Sequence, residues 1–261
     1  MITIRSEKEL AFLEEASLVV LETLNLIEKA VLPGVTTEEL DRLAEAEIRR
    51  RGAKPAFLGY RGYPKTLCTS VNDEVVHGIP GRRALKEGDI VGVDCGAIVG
   101  GYFGDASRTM PVGSINPEKA ELLEVTRKGL EAGIAAAKPG NRVSDIGAAV
   151  EAVAIPHGYG VVRDFVGHGV GTALHEEPQI PNYGPGGRGS LLRAGMVIAI
   201  EPMFNLGRAE VSTDKDGWTV RTRDGSASAH FENTVAIEAN GAVVLGLGRL
   251  SRRGERSALA S

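Results

Sequence analysis

A repeated segment constrains this chain more than any other feature. Leu85-Lys86-Glu87-Gly88-Asp89-Ile90-Val91-Gly92-Val93-Asp94 aligns with Leu192-Arg193-Ala194-Gly195-Met196-Val197-Ile198-Ala199-Ile200-Glu201, 107 residues further on. Upstream, Pro33-Gly34 matches Pro139-Gly140, and Gly52 matches Gly158, at a spacing of 106. Two apolar strands after a glycine would look alike in any case. The shared turns, and an acid closing each strand, point instead to an internal duplication. The expected fold is α+β: one domain of two pseudo-symmetric halves, about 1–112 and 113–248, with helices on one face of a curved antiparallel sheet. Residues 249–261 are read as a polar, basic tail. Asp94 and Glu201 then face each other across a pseudo-twofold axis at the centre of the domain.

Local signals agree with this order. Ser6-Glu7-Lys8-Glu9 and Thr36-Thr37-Glu38-Glu39 are capping boxes. They predict two helices, one stopped by Pro33-Gly34 and one by Gly52. Valine, isoleucine and threonine runs broken by glycine and proline predict strands from about Thr66 to Val112. Asn116-Pro117 opens a third helix, with proline at its first position. A fourth helix is expected from about Val143 to His157, then strands and glycine-rich loops to about Leu247.

Composition removes several functions. Lys plus Arg is 30 against 34 Asp plus Glu, a mild acidity that argues against a dedicated nucleic-acid site. No apolar run approaches the ~20 residues of a membrane helix. Two cysteines, Cys68 and Cys95, make no disulfide framework. The charged start, Met1 to Leu10, has no signal-peptide pattern, so a cytoplasmic protein is expected.

The chemistry sits at strand ends. Asp94 closes the apolar run Ile90–Val93, and a hairpin through Gly100-Gly101 would set Asp105 beside it. Glu201 closes Val197–Ile200, and Glu232 lies in the strand-like run His230–Ile237. Four acids in such settings repel one another strongly at low dielectric, so they call for a divalent metal or a partner. Of the five histidines, His168 lies among small residues in Val166–Gly171. His77 and His175 precede the two acid strands in parallel fashion. His157 reads as a helix-surface residue, and His230 is left open. Gly167-x-Gly169-x-Gly171 lacks the strand–loop–helix context of a phosphate loop. Neither a G-x-S-x-G elbow nor a zinc-protease H-E-x-x-H pair is present.

With their spacings and flanks, Asp94, Asp105, His168, Glu201 and Glu232 resemble the five metal ligands of the type I methionine aminopeptidases. The resemblance runs from about residue 5 to 247. It includes Tyr60-Arg61-Gly62-Tyr63-Pro64-Lys65, Val71–Pro80 around His77, and the tryptophan loop Ser212–Thr219. It implies the pita-bread fold and two divalent ions drawn from Mn, Fe(II), Co or Zn. Asp105 and Glu232 would bridge the ions, Asp94 would chelate one, and His168 with Glu201 would hold the other. His175 and His77 would act on the scissile amide and the substrate, and Glu201 would also carry a water proton. A methionine pocket is implied at Phe57, Tyr60, Tyr63, Cys68, Leu174 and Trp218. Leu174 stands where bacterial members commonly have Phe, and Phe57 where a small Cys is frequent, so the pocket is expected to be reshaped. Asn72, Glu74 and Ser228 match a monovalent-cation site of some members. The implied partners are nascent polypeptide N-termini whose second residue is small, with the ribosome as a further candidate and the enzyme a monomer. A proline-specific peptidase and a metal-free binding protein of the same fold are the competing readings. The first lacks its usual large N-terminal domain here, and the second usually shows replaced ligands.

Overall fold

The structure, a computed structural model, describes residues 2–247. The expected tail, 249–261, lies outside the described residues. Four helices are α1 (Glu7–Ala30), α2 (Thr37–Arg50), α3 (Pro117–Ala136) and α4 (Val143–Ala154). The strands of the first half are β1 (Lys54–Pro55), β2 (Leu67–Val71), β3 (Glu74–Val76), β4 (Ile90–Val99) and β5 (Tyr102–Pro111). In the second half come β6 (Gly160–Val161), β7 (Gly167–Gly169), β8 (Glu176–Ile180), β9 (Val197–Ile200) and β10 (Met203–Asn205). They are followed by β11 (Val211–Thr213), β12 (Val220–Thr222), β13 (Ser228–His230), β14 (Glu232–Glu238) and β15 (Gly241–Val244).

The helix starts form as the caps dictate. Ser6 and Thr36 accept the N3 amides of α1 and α2, while Glu9 and Glu39 reach back to the cap amides. Asn116 caps α3, with Pro117 at its first position. The expected fourth helix is α4 continued by a 3₁₀ turn, Ile155–His157.

The duplication persists down to hydrogen bonds. Gly34 and Gly140 have φ of 93° and 92°, and Gly88 and Gly195 have 86° and 89°, a left-handed backbone that glycine adopts without strain. Gly34 N donates to Leu85 O, and Gly140 N donates to Leu192 O. Isolated bridges pair Thr36 with Ala84 and Arg142 with Leu191.

A nine-stranded antiparallel sheet runs β1-β4-β5-β14-β9-β7-β8, with β2 on β4 and β15 on β14. Strand alternation separates its two faces. In β4 and β5, Val91, Val93, Cys95, Ala97, Ala106 and Met110 pack with α1 and α2 in the core of the first half. Asp94, Gly96, Asp105 and Ser107 point the other way. In the second half, Ile198, Ile200, Val235 and Ile237 pack with α3 and α4. Each half therefore buries its own helix pair, and the opposite face of the joined sheet carries the polar residues. Two small sheets, β13-β10-β6 and β11-β12-β3, complete the fold.

Candidate metal centre and substrate pocket

Register brings the acids together. The hairpin turns through Gly100 and Gly101, both at positive φ, and pairs Asp94 with Ser107 and Gly96 with Asp105. Glu232 pairs with the same Ser107 from the other side. Asn233 pairs with Ile200, so Glu201 leaves β9 beside Glu232. The junction of β5 and β14 is thus where acids from both halves meet.

Histidine 168 enters from β7. Its ring Nδ1 donates to Gly169 O at 3.0 Å, which leaves Nε2 free to ligate. Nε2 lies 3.5 Å from Glu201 Oε1 and 3.9 Å from Asp105 Oδ2. Asp105, His168 and Glu232 offer ligand atoms all within 4.8 Å of one another. The flanking glycines serve packing. A Cβ on Gly167 would stand 2.4 Å from Ala199 O, and one on Gly169 2.3 Å from Glu177 O. The GxGxG pattern therefore lets β7 lie close against its neighbours, which is the physical reason it is no phosphate loop.

Asp94 Oδ1, Asp105 Oδ1 and Glu232 Oε1 are shut from solvent and find no hydrogen-bond partner among the described residues. Buried oxygens left so are costly unless something else satisfies them. Burial raises the Asp94 carboxyl to about 7. Burial and then mutual repulsion push Asp105, Glu201 and Glu232 well above the carboxylate range. Burial also lowers His168 to about 4, which keeps its imidazole neutral and able to ligate. Four carboxylates and one imidazole fit a hard or borderline divalent ion.

This predicts a pH signature for metal-free protein. The raised carboxyls contribute stability that is complete below about pH 4 and lost as pH rises through their raised folded values, about 7 for Asp94. His77 and His168, held at about 4, act oppositely, but only below about 6.5. Above about pH 6.5, where these histidines are neutral in both states, the raised acids carry the pH dependence. Each pH unit then costs about 1.4 kcal/mol per titrating carboxyl, or about 2–4 °C in Tm. Metal-free protein should melt progressively lower as pH rises above about 6.5 while manganese-loaded protein holds steady. A constant gap between the two would contradict a buried acid cluster.

The outer histidines stand beside this centre. The His175 ring lies 4.2 Å from that of His168, centre to centre, and its Nδ1 meets Tyr60 Oη at 2.8 Å. Burial, and then the Arg61 charge, lower its pKa. His77 follows β3 with a left-handed φ of 61° and turns its ring edge on Phe165. Burial and His175 lower it to about 4.

Beside them Phe57, Tyr63, Cys68 and Leu174 form one apolar cluster, with Tyr60 and Trp218 packed on it. Tyr63 meets Trp218 edge-on at 5.0 Å. Its hydroxyl lies 2.9 Å from Leu67 O and 3.0 Å from Gly78 O. Trp218 sits in a turn held by Asp216, and Arg221 ties that turn to Asp73, Glu74 and Asp214. Phe57 lies over Gly96, where a Cβ would come within 2.6 Å of its ring. The bulk of Phe57 thus faces the smaller Leu174 within one lining.

Sequence reasoning missed Phe103, Ile79 and Ile98, which join this cluster. Phe103 was within reach, since it precedes Asp105 by two and shares its strand face. His230, left open, is buried with Nε2 3.8 Å from Glu201 Oε2. Its local sequence carries no signal for that. The side chains of the expected monovalent-cation trio are engaged within the protein. Asn72 takes Lys119 and Asp89, Glu74 takes Arg83 and Arg221, and Ser228 donates to Phe204 O.

A nine-stranded antiparallel sheet carrying such a buried cluster fits a metallopeptidase. Residues 11–239 match the profile of metallopeptidase family M24. A methionine aminopeptidase of Clostridium acetobutylicum is 52% identical over 248 residues, spanning 95% of this chain and 99% of the relative. The crystal structure of a Rickettsia prowazekii methionine aminopeptidase superposes with a TM-score of 0.93 at 42% identity, covering 95% of this chain and all of its own. A prolidase from Pyrococcus furiosus is more distant, with a TM-score of 0.75 at 26% identity, and this chain covers 65% of it. The chain belongs to metallopeptidase family M24, among its methionine aminopeptidases.

Proposed function

We propose that this chain removes the initiator methionine from polypeptide N-termini whose second residue is small. The carrying observation is the convergence of Asp94, Asp105, His168, Glu201 and Glu232 beside an apolar lining that ends at His175. In this reading Asp94, Asp105, His168, Glu201 and Glu232 would hold two divalent ions, Asp105 and Glu232 serving both, Asp94 one, and His168 with Glu201 the other. Mn, Fe(II), Co and Zn all suit that donor set. The metal, when bound, supplies Lewis acidity and an acidified water.

The chain's own residues do the rest. Cys68, Tyr63, Trp218, Phe57 and Leu174 take the thioether side chain, which packs well on aromatic edges and soft sulfur. Tyr60 holds His175 through Nδ1, leaving Nε2 to hydrogen-bond the scissile amide. His77 positions the substrate from the far side. A Glu201 oxygen takes the water proton and passes it to the leaving amine. Any monovalent cation at Asn72, Glu74 and Ser228 would share those side chains with the hydrogen bonds they already make. Nascent chains are the natural source of such N-termini, which makes a cytoplasmic, ribosome-proximal monomer the consistent setting. No helix among the described residues is long and apolar enough to cross a membrane.

The test uses metal-stripped protein with Mn, Fe(II), Co or Zn restored, on Met-Gly-, Leu-Gly- and Gly-Pro-initiated peptides. Metal-dependent release of Met with little Leu is expected. Release from the proline peptide alone would move the chain to the prolidase class. No hydrolysis with any metal would leave a binding protein.

A further inference from the structure

His175 and Leu174 stand on a short connection between β7 and β8, and little packing holds it. Thr172, Ala173 and His175 are exposed there, while Leu174 is buried between them. One carboxylate organises its backbone. Glu176 Oε1 accepts the amides of Thr172 at 2.8 Å and Ala173 at 3.1 Å. Its other oxygen, Oε2, accepts a short hydrogen bond from the Arg5 guanidinium. Arg5 comes from the segment ahead of α1, 171 positions away, and its side chain is 5% exposed. Its own amide is fixed on Gly195 O at 2.8 Å, in the turn before the second acid strand.

Gly171 makes room for this pair. A Cβ there would fall 1.7 Å from Arg5 Nη2 and 2.5 Å from Glu176 Oε1. Gly171 O in turn accepts Phe103 N at 2.9 Å, which links the connection to the hairpin bearing Asp105. A second contact holds the segment from the solvent side, between Tyr60 and His175.

We infer that Arg5 and Glu176 are positioning residues for the reaction: they hold 171–176 so that Leu174 lines the pocket and His175 faces the scissile bond. This rests on the methionine-releasing reading above. Neither residue touches the metal ligands in the described contacts, so their effect passes through the placement of the segment. Without Arg5, the Glu176 carboxylate loses its cation and turns to water, and the two amides it holds are released. A modest displacement of a catalytic group costs on the order of 10- to 100-fold in rate.

The test compares wild type, Arg5→Met, Arg5→Lys and Glu176→Gln, each loaded with manganese. Amide exchange at Thr172 and Ala173 should quicken in Arg5→Met, while the β4–β5 hairpin keeps its protection. The kcat on a Met-Gly peptide should fall about 10- to 100-fold with metal content unchanged, and KM should rise far less than kcat falls. Arg5→Lys should recover part of the loss. In a His175→Ala background, Arg5→Met should reduce kcat little further, because the group it positions is gone. Glu176→Gln gives the same readings should Arg5→Met fail to fold. Wild-type kcat in Arg5→Met, an equal loss with and without His175, or weakened metal binding would each overturn the inference. Wild type that releases no methionine would instead sink the proposed function, and the exchange data would still decide whether Arg5 holds the segment.

Discussion

Asp105→Asn is expected to abolish metal-dependent hydrolysis while raising the stability of the metal-free chain. The two effects have one cause. Asp105 is buried at the junction of the halves, 5% exposed, with Oδ1 unpartnered among the described residues. It repels Glu232 and Asp94, which is part of why its carboxyl is held well above the ordinary range. Asparagine keeps the shape and removes the charge. At pH 8 the metal-free variant should therefore melt several degrees above metal-free wild type. Metal affinity should fall by more than about 100-fold, since even residues that merely support a ligand are worth 10- to 100-fold. Calorimetric titration with manganese, thermal melts and peptide hydrolysis read the three quantities. A variant that binds metal and turns over like wild type would remove Asp105 from the centre.

His175→Ala should separate chemistry from metal binding. The residue sits against His168, is exposed at the rim and bonds Tyr60 rather than a carboxylate. Its loss should leave metal content and Tm nearly unchanged. The kcat should fall about 10²- to 10⁴-fold, the usual worth of a positioned proton donor. Metal loss as the main effect would place His175 inside the ligand set and overturn the role given to it.

Much of this was legible before any coordinates. Helix starts at Ser6, Thr36 and Asn116 depend on side chains within three residues of the cap, so the local sequence suffices to find them. The repeat was legible because glycines 34 and 140, and 88 and 195, occupy the same left-handed turns that only glycine enters freely. Acids closing apolar strands stood out because burial of a bare carboxylate is costly. The apolar cluster beside the centre was anticipated only in part. Phe57, Tyr63, Cys68 and Leu174 were named, but Phe103 and Ile79 were not. Phe103 follows from the strand alternation around Asp105, whereas Ile79 joins only because of how its loop folds over the hairpin.

Local patterns and the repeat were enough to place the helices, the duplicated α+β architecture and the kinds of group gathered at the strand ends. These follow from spacings of a few residues, or from a repeat that can be read by alignment. Only the tertiary structure decided that Tyr60 bonds His175, that His230 lies against Glu201, and that Arg5 neutralises Glu176 across 171 positions. Such pairings join residues with no shared local pattern. Their geometry is set by strand register and by where glycine allows two backbones to approach, and neither is fixed until the whole sheet has closed.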